Sequence, residues 1–331
     1  MRLNKTPLTI ALALLLGISL VGCSKESTET NNIQRMKPES TVDSELSNYI
    51  AKEKTILDKN TPPIHTQANP EAIKLIPQSF QFVENGYLTV AVISISAPPL
   101  TVLASDNKTY IGAEVDVARL IADSLGLKLK VVPTSWENWP LGLDSGKFDA
   151  VLSNIAVTEE RKKKYDLVTY RNDTLAFYVL EKSKIKKITG PDDIAGHKFV
   201  VGSGTNQERL LLQWIEDNKR KGEVPAEPIY LGDSAAASLA LRSGRVDGLI
   251  IPNVAGRWQQ LNGVDIKKVG QFNGIWSVAV ALKKDSGLAN AVQTSINGVI
   301  SSGKYIQAFS RWNLQEDVIQ ESVINPLIHE N

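Results

Sequence analysis

The chain has 331 residues, 42% hydrophobic and 22% charged, with a formal net charge of +1. That length and apolar fraction suit one or two globular domains, and the near balance of charge excludes the strongly basic surface that nucleic-acid binding demands. Three scattered histidines (His65, His197, His329) and one cysteine exclude a zinc site of Cys/His spacing and any disulfide within the chain, and no cofactor motif is present.

Arg2 and Lys5 precede an apolar run, "PLTIALALLLGISLVG", which is shorter than the ~20 residues of a membrane-spanning helix. This pattern reads as an export signal over residues 1–22. The stretch Leu20-Val21-Gly22-Cys23 resembles the lipobox of bacterial lipoproteins. That resemblance implies cleavage before Cys23, its lipidation, and a membrane-anchored protein outside the cytoplasm; the alternative is an ordinary signal peptide with a chance cysteine. Losing Arg2 and Lys5 would leave the mature chain slightly negative. Residues 24 to about 77 are rich in Ser, Thr, Asn, Pro, Lys and Glu, and "TPPIHTQANP" interrupts any helical period. The expectation is a mobile tether over 23–79.

Regular elements begin near Gly86. "YLTVAVISI" reads as a strand, "AEVDVARLIADSLGL" as a helix stopped near Gly126, and "KLKVVPTS" as a strand. Next comes "SGKFDAVLSN" from Ser145, and "SGRVDGLIIPN" repeats it from Ser243. In each copy a helix-like stretch ends at Gly, and a Val/Ile/Leu-rich run follows Asp149 or Asp247, as in a buried parallel strand. A second series runs from Ile194: strand "KFVVGSGTN", helix "QERLLLQWIEDNK", strand "PIYLG", helix "SAAASLALRSG", strand "VDGLII". "LANAVQTSINGVISSGKYIQAFSRW" supplies closing helices. Alternating strands and helices imply mostly parallel sheets with right-handed crossovers, in two α/β lobes of similar wiring.

The ordered set "GYLTVAV", "YIGAEVDVARLIADSLGLKLKVVPTSWENW", "LDSGKFDAVLSNIAVTEERKKKYDLV", "DDIAGHKFVVGSGTNQ", "RSGRVDGLIIPNVA" and "GKYIQAFSRWN" resembles the family 3 extracellular solute-binding proteins, the amino-acid-binding subunits of ABC importers. The resemblance covers roughly residues 80 to 320. It implies an α/β type II fold of two lobes joined by two crossing strands, with lobe 1 at 80–171 plus 275–331 and lobe 2 at 172–274. The implied activity is non-enzymatic: a monomer captures a small carboxylated solute between the lobes and delivers it to a membrane permease.

In "VLSNIAVTEER" a strand is expected to end at Ser153, and Thr158 suits the N-cap of a short helix. Glu159 and Glu160 complement the helix dipole, whereas Arg161 opposes it unless an anion binds there. A surface Arg paired with Glu159 is the plainer reading of the spacing. The resemblance instead implies that Arg161 grips the solute's carboxylate. In "VVGSGTNQER" a small-residue turn leads into a helix; the resemblance implies that Gly204, Thr205 and Asn206 complete the carboxylate site from lobe 2. Trp136 and Trp139 either wall the cleft or fill the core, while Trp276 and Trp312 read as core. Ser153 and Asn154 on one side, and Pro252 and Asn253 on the other, are expected to face each other across the solute.

Three positions depart from the amino-acid-binding pattern. Pro252, with Asn253 beside it, stands where a carboxylate often holds the ammonium group; Ala156 replaces a hydroxyl; and Ser94 and Ala97 replace an Asp and an aromatic. Burying an ammonium without a carboxylate is costly. The solute is therefore expected to keep an anionic group but not to need a free α-ammonium. Two other functions fit the same scaffold. One is a periplasmic enzyme resembling cyclohexadienyl dehydratase, for which Glu137 is the acidic candidate and His197 reads as a surface residue; the other is a sensing module for a separate receptor.

Overall fold

The computed structural model describes residues 62–93 and 98–328. The export signal, Cys23, the chain up to residue 61, Ser94, Ala97 and His329 lie outside the described residues.

Packed chain begins earlier than the composition suggests. Ile64 and Ala72 are buried in the apolar core of the first lobe. The Asn69 N–H donates to the Ser124 carbonyl at 2.8 Å, and His65 Nδ1 lies 2.6 Å from Asp123. Asn-Pro here starts a helix instead of breaking one. Asn69 Oδ1 accepts from the Glu71 N–H at 3.1 Å and caps Pro70–Lys74, with Pro70 at the first position. The tether expected to reach residue 79 is thus corrected: from Ile64 onward the chain is part of a folded lobe.

Twelve strands are present among the described residues: β1 (Tyr87–Ile93), β2 (Val102–Leu103), β3 (Tyr110–Ile111), β4 (Lys128–Thr134), β5 (Ala150–Ala156), β6 (Tyr165–Asp173), β7 (Leu175–Leu180), β8 (Lys198–Val201), β9 (Glu227–Tyr230), β10 (Gly248–Pro252), β11 (Ile266–Gln271) and β12 (Trp276–Lys283). Two five-stranded sheets form, in the orders β4-β1-β5-β12-β6 and β11-β7-β10-β8-β9; β2 and β3 make a small ladder. Reading the second sheet from its other edge gives the plan of the first. β1 lies parallel between β4 and β5, and β8 lies parallel between β9 and β10. β12 and β6 extend the first sheet antiparallel, as β7 and β11 extend the second. Each sheet is therefore parallel through three strands and mixed beyond them. The antiparallel strands arise from the two crossings: β6 passes into β7 through Thr174, and β11 returns to β12 through residues 272–275.

The repeated segments occupy equivalent places. Each follows a helix (Trp139–Asp144 or Ser234–Arg242), and each turns at a glycine, Gly146 or Gly244, with φ +72°. A side chain is disfavoured at that φ, which is why glycine recurs. The carboxylate that follows ties the new strand to its neighbour. Asp149 accepts from the Thr89 N–H at 2.7 Å and the Val83 N–H at 2.9 Å, and Asp247 accepts from the Lys198 N–H at 2.8 Å. The repeat is a shared way of starting β5 and β10.

Apolar residues alternate through the strands and cover both sheet faces, as the period of two requires. Leu88, Val90, Leu152 and Val280 meet the helices Ala113–Ser124 and Ala289–Ser301 on one face of the first sheet; Ala91, Val151, Ile155 and Ala281 meet Trp139 and Phe148 on the other. In the second sheet Phe177, Phe199 and Ile250 pack on Leu211 and Ile215 of the helix Asn206–Lys221, and Tyr178, Val200 and Leu249 pack on Ala237 and Leu241. The lobes also touch behind the crossings. The helix Asn253–Leu261, which follows β10, sends Val254 and Trp258 into the core of the first lobe, where Trp258 lies 6.3 Å from Trp312. Arg257 on that helix pairs with Glu316 at 2.7 Å and Asp317 at 2.8 Å.

Candidate functional site

A cavity of about 720 Å³ opens between the lobes. Trp136, Glu137, Trp139, Thr158, Arg161 and Tyr165 line it from the first lobe, and Ser203, Gly204, Thr205, Asn206, Glu208 and Arg209 from the second. That volume and the mixture of aromatic walls with a few polar groups are those of a small-molecule site.

Arg161 is set by its local sequence. Thr158 caps the short helix Glu159–Lys164, its Oγ1 accepting the Arg161 N–H at 3.1 Å. The guanidinium then reaches across the cavity. Nη1 donates to the Ala156 carbonyl at 2.8 Å and Nη2 to the Gly204 carbonyl of the facing lobe at 3.1 Å. Its carbon stands 5.2 Å from the centre of the Trp136 ring, a cation–π distance. Both polar partners are neutral carbonyls, and burial pulls the guanidinium down to about 10, with Arg209 adding to the effect and Glu160 opposing it. The neighbouring acids have other partners: Glu159 pairs with Lys162 at 2.6 Å and Glu160 with Lys164 at 3.4 Å. A guanidinium carries five N–H donors, so most of its capacity remains for an anion.

The facing wall is the start of the helix Asn206–Lys221. Thr205 is its N-cap, Oγ1 accepting the Glu208 N–H at 3.2 Å while Glu208 accepts the Gly204 N–H at 2.6 Å. Part of the backbone that the sequence assigned to a solute is thus held by Glu208. Asn206 is buried, and its Nδ2 has no hydrogen-bond partner among the described residues.

Of the residues singled out in the sequence, Trp136, Trp139, Arg161, Gly204, Thr205 and Asn206 come together around this cavity. Ser153, Asn154 and Asn253 do not line it, and Ala156 borders it only by offering its carbonyl to Arg161. The reason is that β5 runs on to Ala156, paired with Val278 of β12, so Ser153 lies within the strand instead of at its end. Ser153 Oγ turns back to the Leu152 carbonyl at 2.7 Å. Asn154, at φ +50°, donates its N–H to Glu114 Oε1 at 2.6 Å and accepts from Arg171 through its side chain. Asn253 accepts the Tyr178 hydroxyl at 2.9 Å, and its N–H caps the Thr174 carbonyl at the crossing. The expected meeting of Asn154 and Asn253 across a solute gives way to two buried networks. The first joins Glu114, Tyr170, Arg171 and Asp173: the Tyr170 hydroxyl donates to Glu114 at 2.5 Å, and Arg171 Nη2 lies 3.3 Å from Asp173. Burial raises the Glu114 carboxyl, which the charge of Arg171 partly opposes. Sequence spacing gave no sign of this network, because its members are up to 59 positions apart and each reads as an ordinary strand or helix residue.

Trp276, read as core, lines the cavity as well as touching the second apolar core; Trp312 is buried as expected. Glu137 lies on the exposed part of the cavity wall, and His197 sits away from it, 3.4 Å from Asp247. Among the described residues no cluster of three or more His, Cys, Asp or Glu could hold a metal, and no helix is long and apolar enough to cross a membrane.

Comparison with known proteins agrees with this geometry. The L-cystine-binding protein TcyJ of Escherichia coli (strain K12) is 31% identical over 172 residues, 52% of this chain and 61% of the relative, so the match spans about three fifths of that protein's length. The cyclohexadienyl dehydratase of Pseudomonas aeruginosa is 26% identical over 182 residues, covering 54% of this chain and 64% of that enzyme. The crystal structure of an ancestral amino-acid-binding protein, a precursor of cyclohexadienyl dehydratase, superimposes with a TM-score of 0.60 at 26% identity, covering 69% of this chain and 95% of the other. The model of the bacterial extracellular solute-binding proteins, family 3, matches residues 88–315. With two equivalent lobes, two crossings and a cavity between them, the chain belongs to the family 3 bacterial extracellular solute-binding proteins.

Proposed function

We propose that this chain is the solute-capturing lipoprotein of an ABC importer. It is anchored outside the cytoplasm through Cys23, holds a small carboxylated, amino-acid-like solute between its lobes, and presents it to a permease. The observation that carries this reading is Arg161, a half-buried cation in a cavity between lobes whose side-chain donors meet only neutral carbonyls. A carboxylate supplies the missing counter-charge, and the Asn206 amide meets it from the other side. Because one ligand touches both lobes, it favours the arrangement in which they are close.

A thermal-shift panel of L-cystine, L-arginine, L-glutamine, their N-acetyl forms and prephenate tests the reading. A solute at 100 times its Kd adds ~2.7 kcal/mol of stability. At least one carboxylate is expected to raise Tm, and Arg161→Ala to remove the rise. Equal shifts in the wild type and Arg161→Ala contradict it.

The enzyme relative and Glu137 on the cavity wall favour a second reading, a dehydratase using Glu137 as general acid. Turnover of prephenate that is lost in Glu137→Gln would select it; binding without turnover selects transport.

A further inference from the structure

Resting on that reading, we infer that Arg209 is a positioning residue: it locks the Asn206 amide so that Nδ2 donates to an acceptor oxygen of the solute from the second lobe. Asn206 is the first residue of its helix, is 4% exposed and lines the cavity. Its Nδ2 is buried without a partner. Folded proteins seldom keep such a donor, because the lost hydration is not replaced.

An unpaired amide can often relieve itself by turning over. Here it cannot do so. Arg209 Nε, three residues along the helix, donates to Asn206 Oδ1 at 3.0 Å. A guanidinium N–H only donates, so the amide oxygen must face it and the amide nitrogen must face away. Two other polar groups of this turn are engaged, Thr205 Oγ1 by the Glu208 N–H and the Gly204 N–H by Glu208. The Asn206 amide is the buried side chain of the turn held with a spare donor. An oxygen acceptor completes it, whereas an ammonium or a methyl group leaves it unsatisfied. With Arg161 on the opposite wall, the solute must present acceptor oxygens to both lobes, as an anion does.

The test uses the full mature chain and two readouts. The first is Kd for sodium acetate, with Arg209→Ala, Asn206→Ala, the double variant, and Arg220→Ala as the control. Arg220 is exposed on the same helix and pairs with Asp217, so this control removes the same charge. Arg209→Ala and Asn206→Ala should each weaken acetate binding roughly tenfold, about 1.4 kcal/mol. The double variant should be no weaker than Asn206→Ala, since both act through one amide. Additive losses, or an equal loss in Arg220→Ala, overturn the inference by showing that Arg209 acts through its charge.

The second readout needs no ligand. Asn206→Asp places an acceptor among Arg209 and Arg161, and should raise the Tm of the free protein by about 3 °C. The rise should shrink in Arg209→Ala; an unchanged or lowered Tm overturns the inference. If acetate binds Arg161→Ala as well as the wild type, the carboxylate reading fails, while the Tm comparison still decides the role of Arg209.

Discussion

Replacing Arg257 with Gln tests whether the contact behind the crossings holds the lobes together. The guanidinium makes two ion pairs of similar length but different worth. Glu316 is 79% exposed, and a pair of that kind contributes at most ~1 kcal/mol. Asp317 is only 13% exposed and Arg257 27%, so the second pair is a shielded, charge-assisted hydrogen bond worth ~1.5–3 kcal/mol. Gln keeps much of the packing beside Trp258 and loses both pairs, for a total of about 2 kcal/mol. At roughly 2–4 °C per kcal/mol for a protein of this size, Tm should fall by about 4–8 °C. Burial raises the Asp317 carboxyl, and the charge of Arg257 pulls against that. The pair needs Asp317 ionised, so the difference between variant and wild type should narrow as the pH falls. Differential scanning calorimetry at about pH 7.5 and about pH 5, with Asp317→Asn and the double variant completing a cycle, measures each part. A Tm drop under 1 °C, or one that stays constant across the two pH values, refutes the assignment of the energy to this pair.

Two further outcomes follow from the buried charges. Burial pulls the Arg161 guanidinium down to about 10, and a bound carboxylate would draw it upward. Solute affinity should therefore be flat between about pH 6 and about pH 8.5 and weaken as the pH rises through about 10; a carboxylate Kd constant to pH 11 by calorimetry would refute the lowering of Arg161. Glu114 is 2% exposed and burial raises its carboxyl, so the folded state binds that proton more tightly than the unfolded chain does. Such a group adds stability as the pH falls from neutrality toward its unfolded value, and Glu114→Gln should flatten that rise in urea unfolding at pH 5, 6 and 7. Parallel profiles for variant and wild type would remove Glu114 as a source.

Much of the architecture is legible in the residues because it rests on local rules. Gly146 and Gly244 stop helices, Val/Ile/Leu runs make the buried strands of both lobes, and Thr158 and Thr205 start the helices that frame the cavity. Local rules flagged Arg161 as a cation opposing the dipole in the first turn of its helix, but read it as a surface pair with Glu159; the resemblance to the family is what pointed to a carboxylate. They misread Asn69-Pro70 because the same two residues both break and start helices; Ile64 and Ala72, buried against a distant core, decide between the two.

The candidate site was less legible for a different reason. What makes a polar residue available to a ligand is the absence of a partner, and partners are set by the tertiary structure. Arg161 and Arg171 are equally plausible anion receptors as letters, ten positions apart. Arg171 is fully buried against Asp173 of its own strand and Asn154 of β5, so its charge is spent on tying β6 to β5 past the intervening β12. Arg161 has carbonyls alone, one from each lobe. Asn154 and Asn206 divide in the same way. Arg171 and Glu114 occupy Asn154 from both sides, while Arg209 holds one end of Asn206 and leaves the other unpaired. Arg161 and Asn206, each with donors to spare, meet at one cavity, whereas Asn154 and Arg171 hold each other where the chain approaches the first crossing. This division separates the groups that can respond to a solute from those that hold the lobes in place.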